Sequence, residues 1–123
     1  MEGYIRKRIR EYEGRLAEKK VYLFPFGGQG ERIYNILSSE ESNYLKLKEI
    51  VCVDNYREGC ISSKEMRDDI RKENENSLIV FSALKEKYFR ELLEEILSTG
   101  ISATKIFIVL KKCFMVHLLL MQL

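Results

Sequence analysis

The sequence predicts a three-layer α/β fold, in which helices cover both faces of a parallel sheet. Two observations predict this class. Short apolar runs of strand length alternate along the chain with amphipathic helical segments, which is typical of right-handed βαβ crossovers. The run SLIVFS at residues 77–82 is apolar almost throughout, as expected for a strand buried on both faces of a parallel sheet. The length of 123 residues corresponds to one domain.

The first predicted element is a helix over residues 3–19, because Ile5, Ile9, Tyr12 and Leu16 recur at helical spacing on one face. Basic and acidic side chains interleave on its remaining faces. Interleaved charges dilute a single-sign field, so we expect a solvated helix that covers the sheet or a second subunit. A surface for an acidic partner or a membrane is the less favoured alternative.

The domain proper is predicted at residues 20–110, and residues 111–123 form an apolar tail packed on the domain or on a partner. The predicted strands are at residues 20–24, 49–53, 77–82 and 105–110. The predicted helices that alternate with them are at residues 30–38, 63–72 and 85–98, with Ser62 or Ser63 as a cap and Gly100 as a stop. The expected strand order is about 3-2-1-4-5, with a third strand at residues 60–61 that is short or absent.

The stretch KVYLFPFGGQGERIYNIL at residues 20–37 is the most informative. An apolar strand runs into a glycine-rich turn and a helix, and the next strand ends in Asp54. This is the order of a mononucleotide-binding βαβ unit. Glycines let the backbone approach a phosphate, the first helical N–H groups face it, and the acid is placed to hydrogen-bond ribose hydroxyls. The candidate ligand-binding residues are Gly27, Gly28, Gln29, Gly30, Asp54 and Ser82.

The glycine motif departs from G-x-G-x-x-G at its first position. Gly27 and Gly30 match the second and third glycines, but Pro25 stands where the first would be. Proline fixes φ near about −65° and has no N–H, so the turn need not have the dinucleotide-binding shape. Phe26 is bulky where a small residue is usual and could fill part of the phosphate site. The alternative is a glycine turn kept for helix–strand packing around a vestigial site.

Residues 20–109 resemble a small Rossmann-like module of bacterial surface-polysaccharide and sugar-modification proteins. The matching pieces are LFPFGGQGERIYNIL, VCVDN and LIVFSA. Such modules precede some FkbM-type methyltransferase domains, and they are similar to the N-terminal nucleotide-sugar-binding domains of sugar acetyltransferases. The resemblance implies ligand contacts from Gly27, Gly30 and Asp54, with Ser82 and Ala83 on the opposite wall. It implies no activity, because the accompanying catalytic domain is not part of the match.

Composition excludes several classes of function. The net charge of +2 gives no general argument for nucleic-acid binding, and no apolar run reaches the 18 residues of a candidate membrane-spanning helix. Scattered cysteines without a signal peptide favour reduced thiols and a cytoplasmic location. Cys52 is expected to be buried and Cys60 accessible, with a catalytic role for Cys60 disfavoured because the single histidine, His117, is far away in sequence. No metal-ligand spacing is recognisable, so no metal site is expected.

Three functions are compatible with these patterns. The favoured one is a module that binds a nucleotide or nucleotide-sugar and is accessory to sugar or polysaccharide modification. The alternatives are a small enzyme that uses NAD(P) or S-adenosylmethionine, and a ligand-free dimerisation domain. Tyr34, Lys46 and Tyr56 are isolated and are interpreted as structural. Because the N-terminal stripe and the tail at residues 113–123 are both apolar, we expect at least one of them to be buried in a two-fold homodimer. Alternatively, the tail marks where a catalytic domain continues in a longer relative.

Overall fold

The structure is a computed structural model that describes residues 2–73, 76–83 and 86–109. Its centre is a four-stranded sheet in which every pairing is parallel. The strand order is β2-β1-β3-β4. The strands are β1 (Lys20–Phe24), β2 (Glu49–Cys52), β3 (Ser77–Phe81) and β4 (Ile106–Ile108). The α/β class with a parallel sheet is therefore confirmed, and this architecture is compatible with a Rossmann-like fold.

Five α-helices among the described residues cover the sheet on both faces. They are α1 (Glu2–Glu11), α2 (Glu13–Leu16), α3 (Gly28–Leu37), α4 (Ser63–Glu73) and α5 (Glu86–Ser98). One core cluster joins α1, α2 and α3 to one face of the sheet, through buried residues such as Ile5, Ile33 and Val80. A second cluster joins α4 and α5 to the other face, through Met66, Leu93 and others. Because β3 lies between both clusters, all five of its residues are buried, as its apolar run predicted.

The sheet differs from the predicted five-strand order 3-2-1-4-5. Residues 60–61 form no strand, and Ile61 makes only one isolated parallel bridge to Val53, at the edge beyond β2. A segment of two residues supplies too few ladder hydrogen bonds to extend the sheet by a further strand. At the position predicted for a short or absent third strand, the structure therefore has a single β-bridge.

Several predicted boundaries also shift. The single helix expected over residues 3–19 is divided at Tyr12 into α1 and α2, and Glu18 beyond them has a positive φ of 62°. The expected polar loop after α3 contains a 3₁₀ helix, Glu40–Leu45. Two end signals are confirmed: Gly100 adopts φ 88° after α5, and the Ser62 hydroxyl accepts the N–H of Glu65 at the start of α4.

Two arginines cover the backbone of the edge strand β4. Arg8, with a side chain only 11% exposed, donates from its guanidinium to the carbonyl oxygens of Ile108 at 2.7 Å and Val109 at 3.4 Å. Arg15 donates to the carbonyls of Thr104 and Ile106 at 2.9 and 3.0 Å. These bonds fix α1 and α2 against the sheet edge and use acceptors that an added strand would otherwise need.

The apolar stripe of the N-terminal helix lies in the core of its own chain, where Ile5, Ile9 and Leu16 are at most 3% exposed. The stripe is therefore not available to a second subunit. The apolar tail lies outside the described residues, and the homodimer stays a prediction that depends on that tail. No helix in the described part of the chain is long and apolar enough to cross a membrane.

Replacing Arg8 with alanine is expected to lower the free energy of unfolding by about 2 kcal/mol, because the Ile108 and Val109 carbonyls lose a charged donor while remaining buried. Urea denaturation measures this change. Lys7→Ala is the matched control, since Lys7 has a side chain 71% exposed and a long ion pair to Glu11 at 3.9 Å. Equal losses in the two variants would show that the arginine does not anchor the helix.

Candidate functional site

A cleft of about 620 Å³ lies at the carboxyl ends of β1 and β3. The strand that follows β1 in sequence, β2, lies on one side of β1, and β3 lies on the other side. The strand order therefore reverses at this point. Open α/β sheets bind ligands at such switch points, and the volume is in the range of small-molecule sites. The described residues that line it are Phe24, Pro25, Gly27, Gly28, Gln29, Gly30, Asp54, Asn55, Tyr56, Ser82, Ala83, Tyr88 and Leu92.

The glycine turn forms the start of α3, two residues earlier than predicted. Gly27 is the N-cap residue, with extended geometry (φ −105°, ψ −153°), and its carbonyl accepts the N–H of Glu31 at 2.9 Å. The N–H groups of Gly28, Gln29 and Gly30 precede the first intrahelical bond and have no acceptor inside the helix. The cleft therefore contains three residues whose backbone donors are not used by the helix itself.

Gly30 is held in a tight junction under this turn. A Cβ atom at Gly30 would lie 3.0 Å from the Pro25 carbonyl oxygen, 3.1 Å from Phe26 Cδ1 and 3.5 Å from Ser82 Oγ. By contrast, a Cβ at Gly27 or Gly28 would meet nothing within 4 Å. Gly30 thus allows α3 to approach the strand ends closely, whereas the other two glycines leave open space beside the cleft.

Ser82 fastens the same junction. Its hydroxyl donates to the Pro25 carbonyl at 2.5 Å, and its N–H donates to the Phe24 carbonyl at 3.0 Å. The side chain is therefore engaged in joining β3 to the turn after β1, and the residue is only 2% exposed. Gln29 also lines the cleft, and its side-chain oxygen is buried without a hydrogen-bond partner among the described residues.

Asp54 stands at the end of the second strand, as predicted. Its Oδ1 accepts the backbone N–H groups of Tyr56 at 2.9 Å and Arg57 at 3.2 Å, which fixes the loop that follows. Among the described residues, nothing donates to the other carboxylate oxygen, Oδ2. The acid is thus oriented through one oxygen and has the second available for a ligand hydroxyl.

Phe26 does not fill the cleft, contrary to the possibility drawn from its size. Its ring packs against the core on the α3 side and meets Tyr34 edge-on, with ring centroids 6.1 Å apart. The Arg57 guanidinium covers the ring at 4.7 Å, donates to the Phe26 carbonyl at 3.2 Å and pairs with Glu31. The hydrogen bond to Glu31 raises the pKa of Arg57 above its usual value. Arg57 therefore ties the loop after β2 to the turn and to α3.

The structure brings all six candidate residues, Gly27, Gly28, Gln29, Gly30, Asp54 and Ser82, to one cleft. Ala83 joins them there. Tyr56 and Tyr88 also line the cleft, which the sequence patterns did not predict: Tyr56 was interpreted as structural, but it is 97% exposed. A usable signal was its position two residues after Asp54, in a polar loop where an aromatic side chain has no core to enter.

Neither thiol in the described part of the chain is an activated nucleophile. Cys52 and Cys60 are both partly buried, and burial is the main cause that raises the pKa of each thiol above its ordinary value. A raised pKa keeps a thiol protonated near neutral pH, where only the thiolate is a nucleophile. Within residues 2–73, 76–83 and 86–109, no group of His, Cys, Asp or Glu side chains is arranged to hold a metal ion. His117 and Cys113 lie outside the described residues.

Gly30→Ala is expected to lower the free energy of unfolding by about 1–3 kcal/mol, because the added methyl group meets a backbone carbonyl that Ser82 holds in place. Gly28→Ala is the matched control: it adds the same methyl group in open space at the first residue of α3. It should be neutral, or stabilising by up to about 1 kcal/mol. Urea denaturation compares the two, and similar values would mean that the Gly30 contact does not constrain the turn.

Comparison of the chain with protein-family models, with curated proteins and with solved structures gives no match. A functional interpretation therefore depends on the residues of the chain itself. Those residues provide a switch-point cleft with backbone donors that have no intrahelical acceptor on one wall and an oriented carboxylate on another.

Proposed function

We propose that this chain binds a nucleotide-type ligand, a nucleotide or a nucleotide-sugar, in the cleft between β1 and β3. One observation carries the proposal: the cleft at the switch point is lined both by the glycine turn at the start of α3 and by Asp54 at the end of β2. A phosphate and a ribose are adjacent groups of a nucleotide, and these two walls offer a suitable partner for each.

The glycine turn is suited to the phosphate. Its residues Gly28, Gln29 and Gly30 have N–H groups without intrahelical acceptors, and α3 is ten residues long, so its dipole favours an anion at this end. Gly27 and Gly28 carry no side chain on the open side, which allows a phosphate to reach the backbone. The partly buried Phe26 ring packs against the core cluster on the α3 side and is not among the described residues that line the cleft.

Asp54 is suited to the ribose. A carboxylate accepts hydrogen bonds from the two neighbouring hydroxyls of a ribose, and Oδ2 has no donor among the described residues. Because Oδ1 is held by the N–H groups of Tyr56 and Arg57, the carboxylate is oriented before a ligand arrives. Such preorganisation reduces the ordering that binding requires.

Binding is favoured over catalysis. The titratable side chains on the described wall of the cleft are one carboxylate, Asp54, and two phenols, Tyr56 and Tyr88. They form no pair in which one group is placed to activate the other. The resemblance of residues 20–109 to modules of sugar-modifying proteins supports an accessory role in sugar or polysaccharide modification. Enzymes that use NAD or S-adenosylmethionine stay as alternatives, and the same ligand panel tests them.

A thermal-shift panel of UMP, UDP-glucose, AMP, NAD and S-adenosylmethionine tests the proposal. At a hundredfold excess over Kd, a ligand that binds only the native state stabilises it by about 2.7 kcal/mol. We expect UMP, AMP or UDP-glucose to raise the melting temperature. Stabilisation by S-adenosylmethionine alone would favour the enzyme alternative, and the absence of any shift at millimolar concentrations would contradict the proposal.

Gly27→Val locates the site. Valine fits the extended backbone at this N-cap position, so the unliganded variant should lose no more than about 1 kcal/mol of stability. Its side chain would stand in the open space beside the turn, and ligand affinity should fall by more than about tenfold, equivalent to about 1.4 kcal/mol. Gly14→Val makes the same change in open space on α2, away from the cleft, and should leave affinity unchanged. Full binding by Gly27→Val would place the phosphate elsewhere.

A further inference from the structure

Two exposed tyrosines border the cleft from different walls. Tyr56, on the loop after β2, is 97% exposed, and Tyr88, on the first turns of α5, is 53% exposed. Single exposed aromatic residues need no explanation. Here, however, two of the five large hydrophobic side chains exposed among the described residues line the same cleft.

The backbone at Tyr56 is fixed although its ring is free. The Tyr56 N–H donates to Asp54 Oδ1 at 2.9 Å, and the following residue, Arg57, is bound to Phe26 and Glu31. The ring therefore projects from an anchored position beside the carboxylate proposed for the ribose. An aromatic group two residues from that carboxylate is placed to meet the next part of a nucleoside, its base.

The wall that carries Tyr88 is apolar. Ala83 at the end of β3 and Leu92 one helical turn beyond Tyr88 line the cleft with it, and both pack against the core cluster on this face of the sheet. Carbon-lined walls and phenol rings suit a flat, weakly polar group that gains from being removed from water. A nucleobase has this character, whereas a phosphate or a sugar does not.

We infer that Tyr56 and Tyr88 recognise the base of the ligand by contact with its aromatic face. This inference rests on the proposed function and extends it from a phosphate and ribose site to a site for a whole nucleoside phosphate. Stacking on an aromatic face depends little on the identity of the base, so the two tyrosines select for a base without choosing between a purine and a pyrimidine.

Calorimetric titration with AMP, UMP and ribose 5-phosphate tests the inference, because the third probe lacks the base. Tyr56→Ala and Tyr88→Ala should each lower the affinity for AMP and UMP by about fivefold or more. The affinity for ribose 5-phosphate should stay within about twofold of that of the unmodified chain. Tyr56→Phe and Tyr88→Phe keep the ring and should bind like the unmodified chain. Tyr4→Ala is the control, because Tyr4 is 42% exposed and lies on α1, away from this cleft.

The outcomes separate the two proposals. If the unmodified chain binds AMP and UMP but the alanine variants bind them equally well, the tyrosine assignment is wrong and the proposed function stands. An equal loss of affinity for ribose 5-phosphate and for the nucleotides would also overturn the assignment, since it would indicate a general effect on the loop. If the unmodified chain binds none of the three probes, the tyrosine assignment fails, and the proposed function fails with it if UDP-glucose does not bind either. Loss confined to the nucleotides and restored by phenylalanine supports the assignment.

Discussion

The close approach of α3 to the turn after β1 is the constraint on which the cleft depends. A Cβ at Gly30 would lie only 3.0 Å from the Pro25 carbonyl oxygen, and the Ser82 hydroxyl holds that carbonyl from the β3 side. The Phe26 N–H donates to the Val53 carbonyl, so the turn is also tied to the end of β2. Three strand ends are thereby fixed relative to one helix N-terminus, and the glycines before Gly30 are left open at the cleft rather than consumed by packing.

The loop after β2 is likewise held in place without filling the cleft. Asp54 uses one oxygen to order the backbone of Tyr56 and Arg57. The Arg57 side chain donates to the Phe26 carbonyl in the glycine turn and pairs with Glu31. This is a polar network at an exposed rim, where individual ion pairs contribute little to stability. Its effect is geometric, because it holds a carboxylate oxygen and an aromatic ring at one edge of the cleft without filling the cleft itself.

Sequence patterns predicted the α/β layers, and they selected residues that the fold brings to one cleft, because both depend on local signals. The apolar run of β3, the stop at Gly100 and the cap at Ser62 are each determined within a few residues. What failed depends on contacts distant in sequence. The size of Phe26 suggested an obstructed site, but the covering of its ring by Arg57 could not be foreseen. The exposure of Tyr56 was also missed, although its position in a polar loop two residues after Asp54 was a usable signal.

The most direct test of the account is the amide spectrum of the ¹⁵N-labelled chain, recorded while AMP or UMP is added. Binding at the switch point predicts that the largest changes occur at the amides of Gly27, Gly28, Gln29 and Gly30, followed by those of the loop after Asp54. Changes concentrated at the smaller cleft between α1 and the 3₁₀ segment, which Arg6 and Glu41 line, would contradict it. So would a spectrum that stays unchanged at millimolar nucleotide.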